Sequence, residues 1–435
     1  MDLQTLSGLV ERARKDGALA SEILFTETAG HEIRVLRGKV SDRGELRDTK
    51  LRIRCWSEGG GDGVAVGAPE NAIKLISEAL AASARSPSDP HAGPVSRLQA
   101  QVGGLGAEDK RYPALEASDR ADVALQAERA ARGADRRVVT STFWYEDRHT
   151  RRAYANSRAL VQEESETVYR AGGAVTAPTE DPRLEVHEEI EARTYASIAS
   201  LPFGVDAGRR LAALLAPAHA LAGPVRVLLA PPAVARIFAR IGELFDPDVL
   251  PTSFLRPFAD ERPVLDPRIH LMDDGTLPGA LRTTAFDDEG VPPVPLTLIL
   301  EGRPDQSFLD VRRARARDTR PTGHRRGDRF VPSNLLLRAG SKSVNVIVSE
   351  LGGRLLRVDA FGAGEELDPA TGRFSAPVDA VLWNNGKVEG AVRGARLEGD
   401  LNVVLRRVVE VAADTDRVKH VDAPAMILDG FSLVR

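Results

Sequence analysis

The sequence predicts an α+β protein with a mixed N-terminal half of repeated helix-meander-helix units and a β-rich C-terminal half. Three observations carry this. Segments with apolar residues at helical spacing bracket segments that alternate with period two. That order occurs twice before residue 222, and beyond it the texture shifts to short strands broken by glycine.

In the first unit, residues 1–86, Leu3, Leu6 and Val10 recur at helical spacing. The stretch "SEILFTETAGHEIRVLRGK" reads as strand, turn and strand. In "KLRIRCWSEGGGDGVAVG", Leu51, Ile53 and Cys55 alternate with Arg52, Arg54 and Trp56 before glycines turn the chain into Val64 and Val66. "PENAIKLISEALAASA" opens a helix with Pro69 and sets Ile73, Ile76 and Leu80 on one face. From Ser86 to about Pro113, proline, glycine and serine mark a linker or long surface crossing.

The second unit, 114–222, repeats the pattern without repeating the residues. "SDRADVALQAERAARGAD" is helical, the strand-rich stretch after it turns near Asn156-Ser157, "RLEVHEEIEAR" is a strand, and a helix runs from about Asp206 to Leu215. Together these make an N-terminal domain of 1–222, followed by a C-terminal domain of 223–435. There "VRVLLA" is a buried strand, "PPAVARIFARIGELF" a helix opened by prolines, and Asn385-Gly386 a hairpin turn. "DLNVVLRRVVEVAAD" is expected to be one helix, with Leu401, Val404, Leu405 and Val408 along a face.

Composition narrows function. The 435 residues are 42% hydrophobic and 28% charged, as in soluble globular proteins, and allow two or three cores. A net charge of −4, from 59 basic and 63 acidic residues, leaves no global field for nucleic acid or an anionic membrane. Aromatic content of 5% gives few stacking platforms for bases. Cys55 is the only cysteine, which excludes an internal disulfide and fits a reducing, cytoplasmic setting. The N-terminus lacks the apolar core of a signal peptide, and the most apolar window, Leu211 to Gly223, is too short to span a bilayer.

Sequence-local catalytic motifs are missing. No two of the eight histidines lie within a helical turn of each other. His187-Glu188 imitates half of a zinc-peptidase motif, but Glu191 and Ala192 stand where the second histidine belongs, and strand alternation puts the pair on opposite faces. His31-Glu32 fails likewise, with Val35 and Leu36 at the later positions. No G-x-S-x-G elbow occurs, and "AGSKS" lacks the order of a phosphate-binding loop. Cys55, alternating with arginines, reads as a small buried hydrophobe, and "GGGDG" as a hairpin loop.

Two stretches stand out. "FDDEGVPPVP" sets Asp287, Asp288 and Glu289 in a row before Gly290: a cation site, or a turn presenting solvated acids. "DVRRARARDTRPTGHRRGDRF" carries eight arginines, Arg320, Arg325 and Arg326 among them, and reads as a clamp for phosphate or a peptide carboxylate, or as an exposed flexible loop.

At these residues the sequence resembles the TldD/PmbA family. The resemblance runs through "SFLRPFADE", "LMDDGTLPGALRTTAFDDEGVPPVPLTLILEGRPDQSFLDVRRAR", "RPTGHRR", "FGAGEELDPATGRFS" and "LWNNGKVEGAVRGARLEGDLNVVLRRVVEVAAD", with "FDDEGV" the most specific element. TldD-like chains of that family carry an H-E-x-x-x-H zinc helix after a buried strand and a cysteine ligand from the C-terminal half. TldE (PmbA)-like chains lack both. Here the helix after "VRVLLA" has no histidine and no cysteine follows Cys55, so the chain looks like the TldE-type subunit. The resemblance implies a heterodimeric zinc peptidase that trims unfolded or modified peptides in a closed chamber. Zinc is then held by a TldD-like partner, and this chain carries no cofactor and no catalytic residue of its own. A stand-alone, homodimeric peptide- or small-molecule-binding protein is the rival reading.

Overall fold

The computed structural model describes residues 1–58, 61–96, 104–178, 184–256 and 263–435. Part of "GGGDG", the middle of the 86–113 crossing, Arg183 and the end of "SFLRPFADE" lie outside these residues.

The N-terminal half is built on one antiparallel sheet. Helix α1 (Leu3–Lys15) leads into β1 (Ala20–Leu36), β2 (Lys39–Trp56) and β3 (Asp62–Gly67), then α2 (Ala72–Ser83). The second unit is α3 (Ala117–Ala134), β4 (Val139–Asn156), β5 (Val161–Thr176) and β6 (Glu185–Ala192), followed by α4 (Tyr195–Ser200) and α5 (Phe203–Leu214). The two meanders join edge to edge through β1 and β4, giving the order β3-β2-β1-β4-β5-β6.

The turn expected inside 21–39 falls near its end, at Arg37-Gly38, where both residues take positive φ and β1 turns into β2. β1 runs unbroken because both its edges are paired, and Gly30 serves close approach: a Cβ there would lie 2.2 Å from the Asp147 carbonyl oxygen. On α2 the buried face is Ala72, Leu75, Ile76, Ala79 and Ser83; Ile73 is exposed.

Period-two alternation divides the sheet into two faces with different jobs. Odd positions Ile23, Phe25, Leu51, Ile53, Cys55, Ala153 and Ala155 join α1 and α2 in one core. Ile33, Val35, Phe143 and Tyr145, farther along the same face, join α3 and α5 in another. Even positions Leu24 and Tyr154 face the other way and pack against Phe286, Val291 and Val311 of the C-terminal half.

The C-terminal half opens with β7 (Gly223–Leu229) and α6 (Pro231–Glu243). Strand Val421–Val434 pairs both with Lys387–Asp400 and with β7. Arg373–Asn384 and Arg354–Val358 complete a closed path back to β7. Asn385 and Gly386, both at positive φ, form the hairpin turn read from the sequence. The helix expected over 400–414 is corrected: only Leu401–Val404 is helical, capped by the Asp400 side chain, and Val408–Val418 is a strand paired with Val421–Val434. Its apolar spacing suits a helix, but its valines suit a strand, and the adjacent partner strand decides.

Candidate functional site at the seam between the halves

The acidic motif is a tight turn. Gly290 N–H donates to the Asp287 carbonyl at 3.1 Å, and the Asp287 carboxylate accepts the amides of Glu289, Val291 and Arg325 at 2.9, 3.0 and 2.9 Å. Gly290 sits at φ 75°, where any Cβ would come within 2.5 Å of the Tyr154 ring, so both conformation and space demand glycine.

The expectation of solvated acids is corrected here: Asp287 and Glu289 are buried. The turn presses on the even face of the N-terminal sheet, whose side chains are charged. Arg152 of β4 reaches Asp288 at 2.6 Å, Glu164 of β5 at 2.7 Å and the Phe286 carbonyl at 2.9 Å. Arg54 of β2 donates to Glu289 at 3.0 Å, and Tyr154 donates to Glu22 of β1 at 2.9 Å. Glu289 also accepts the Val311 amide at 2.8 Å, which fixes the start of helix Val311–Ala316. Arg193 adds a second clamp, donating to the carbonyls of Ala280 and Thr283 at 3.0 Å each.

The electrostatics differ along the turn. Burial, then the neighbouring Glu289, push Asp287 up to about 7 despite its three amide partners. Burial would also raise Asp288, but Arg152, Arg326 and the Gly327 amide outweigh it and hold its pKa down. Burial raises Glu22, against the opposing pull of Arg54. Every carboxylate of the motif is thus engaged by an arginine or by backbone amides, an arrangement that locks two half-molecules together.

The arginine-rich stretch is ordered by the same contacts. Arg326 donates to Asp288 at 3.3 Å, and the Arg325 guanidinium lies 5.1 Å from the Phe330 ring centroid. Arg313 pairs with Asp248 and Asp310, and Arg315 donates to the carbonyls of His91, Gly93 and Pro94. Arg320 lies apart from the turn, exposed. The structure therefore brings Asp287, Asp288, Glu289, Gly290, Arg325 and Arg326 together and leaves Arg320 outside.

A buried pair that no local spacing announced is Asp273 and His324, with Oδ1 and Nε2 2.9 Å apart and both side chains without solvent exposure. The imidazole stacks on Phe308, and Asp273 also accepts the Ser333 amide, so the pair ties loops to the strand Leu271–Asp273. His187 is exposed on β6 while Glu188 turns to Arg210. Cys55 is fully buried, and burial raises its thiol pKa to about 12.

No helix among the described residues is long and apolar enough to cross a membrane. No three His, Cys, Asp or Glu side chains among them form a metal-holding group. At α6, where the resemblance puts a zinc helix, the inward residues are Ala233, Val234, Ile237, Phe238 and Ile241. These side chains do not fit a zinc ion.

A closed strand path beside a six-stranded sheet has a counterpart in a known class. The profile of the PmbA/TldA metallopeptidase C-terminal domain matches residues 222–435, and that of the central domain matches 110–215. The chain belongs to the PmbA/TldD family of metallopeptidase-like proteins. Within it, the chain is a TldE/PmbA-like member. It is 23% identical to a metalloprotease PmbA homologue of Haemophilus influenzae, over 98% of this chain and 94% of that one. It is 22% identical to metalloprotease PmbA of Escherichia coli, over 95% and 91%. The fold is similar to that of TldE from Thermococcus kodakarensis, with TM-score 0.82, 17% identity and 99% of each chain covered. It is also similar to that of a Thermotoga maritima chain named for gyrase modulation, with TM-score 0.85, 22% identity and 100% of each chain covered.

Proposed function

We propose that this chain is the non-catalytic subunit of a two-chain TldD/TldE-type zinc metallopeptidase acting in the cytoplasm on unfolded or modified peptides. The observation that carries this reading is the apolar inner face of α6 in a chain of peptidase architecture: no metal ligand lies on that face to activate water. In this reading a TldD-like partner holds the zinc, and this chain supplies chamber wall and substrate contacts.

Co-expression with a TldD-type chain from the same genome tests it. The expected product is a 1:1 complex that cleaves unfolded peptide and loses activity when the partner's zinc glutamate becomes glutamine. This chain alone is expected to carry no stoichiometric zinc and cleave nothing. A chain that ignores every such partner, or that holds about one zinc on its own histidines, contradicts the reading; the stand-alone binding protein then takes its place.

A further inference from the structure

β1 pairs with β2 along its full length, but β3 covers the outer edge of β2 only from Leu51 to Trp56. From Lys39 to Lys50 that edge pairs with no other strand among the described residues, and every residue from Ser41 to Lys50 is exposed. A free row of N–H and C=O groups is a template for another strand. Charges normally blunt such an edge, unless the incoming strand presents the opposite sign at each position.

A second copy of the same edge does this in one register. Two copies related by a two-fold axis pair antiparallel, and the axis passes between a residue and its own copy, so the register is named by its central residue. Centred on Leu46, Glu45 opposes Arg47 and Asp42 opposes Lys50, each pair made twice, with Arg43 opposite Thr49 and Gly44 opposite Asp48. No like charges meet, and Leu46, 39% exposed, lies against its copy. Centring on Glu45 instead sets Glu45 against itself, Arg43 against Arg47 and Asp42 against Asp48. Centring on Arg47 sets that arginine against itself, and centring on Gly44 pairs only Arg43 with Glu45. Within the chain, among the described residues, Glu45 and Arg47 make no ion pair, and Lys50 comes no nearer than 3.9 Å to Asp48.

We infer that residues 42–50 of β2 are a self-pairing surface whose occupant is a second copy of this chain, antiparallel and centred on Leu46. The inference is independent of any zinc-bearing partner, because it concerns this chain alone.

The test uses the full chain, in which the single native cysteine is buried. Leu46→Cys is expected to give a disulfide-linked dimer on mild oxidation. Thr49→Cys, equally exposed, sets its two sulfurs roughly 20 Å apart along the ladder and is expected to give none. By light scattering, the wild type is expected to pass from one to two chains with concentration. Arg47→Glu should weaken that roughly tenfold, and Glu45→Arg combined with Arg47→Glu should restore it. Melting curves confirm that these exposed substitutions leave the fold intact. A chain monomeric at every concentration, equal cross-linking at positions 46 and 49, or a dimer indifferent to Arg47→Glu overturns the proposal.

Discussion

One strand, β2, passes through two environments. Its last residues put Arg52 and Arg54 into the seam, where Arg54 meets the buried Glu289; its first two-thirds carry Asp42, Arg43, Glu45, Arg47 and Asp48 on an open edge. The residue types are the same, but their energetics are not. An exposed ion pair is worth about 0–1 kcal/mol, whereas removing one partner of a buried pair costs about 3–5 kcal/mol because the other charge is stranded. Charges in the seam therefore hold the molecule together, while those on the edge are free to select a neighbour.

Arg152→Ala should break the comparison most severely. It takes the arginine from buried Glu164 and the nearer of two from Asp288, leaving them only Thr284, Ala285, Arg326 and Gly327 as partners, and a loss of about 3 kcal/mol is expected in denaturant unfolding. Gly290→Ala comes next: positive φ and the Tyr154 ring together should cost at least ~2 kcal/mol by the same measurement.

Asp287 sharpens the contrast through pH. Its folded pKa is raised, so its stabilising contribution is complete below the ordinary carboxylate range of about 4 and is lost as pH rises toward 7. Asp287→Asn removes that slope, and the variant should gain relative to wild type between those values. A difference that stays constant with pH would contradict the assignment. The smallest effect belongs to the edge: Arg47→Glu should leave unfolding stability within about 0.5 kcal/mol of wild type.

Half of the seam was legible in the sequence. The alternation of Leu51, Ile53 and Cys55 with Arg52 and Arg54 showed a strand with one apolar face, and the structure puts that face on α1 and α2. The charged face was legible as charge but not as interior. Its partners lie far along the chain: Arg152 and Asp288 are 136 positions apart, and Arg54 and Glu289 are 235 apart. Local pattern carries no signal at that range. The same limit explains the acidic turn, whose sequence looks solvated until a second surface closes over it, and the 400–414 segment, where the next strand overrode a helical spacing. Asp273 and His324 were invisible for the same reason.

The acidic turn acts as an electrostatic lock between the two halves and not as a cation site. The most direct measurement is the triple substitution Asp287→Asn, Asp288→Asn, Glu289→Gln, followed by unfolding and elemental analysis of the same sample. The account predicts a loss of at least ~3 kcal/mol, because Arg152 and Arg54 lose their carboxylate partners on the turn, with divalent metal content unchanged from wild type. Unchanged stability together with loss of bound calcium, magnesium or zinc would contradict it.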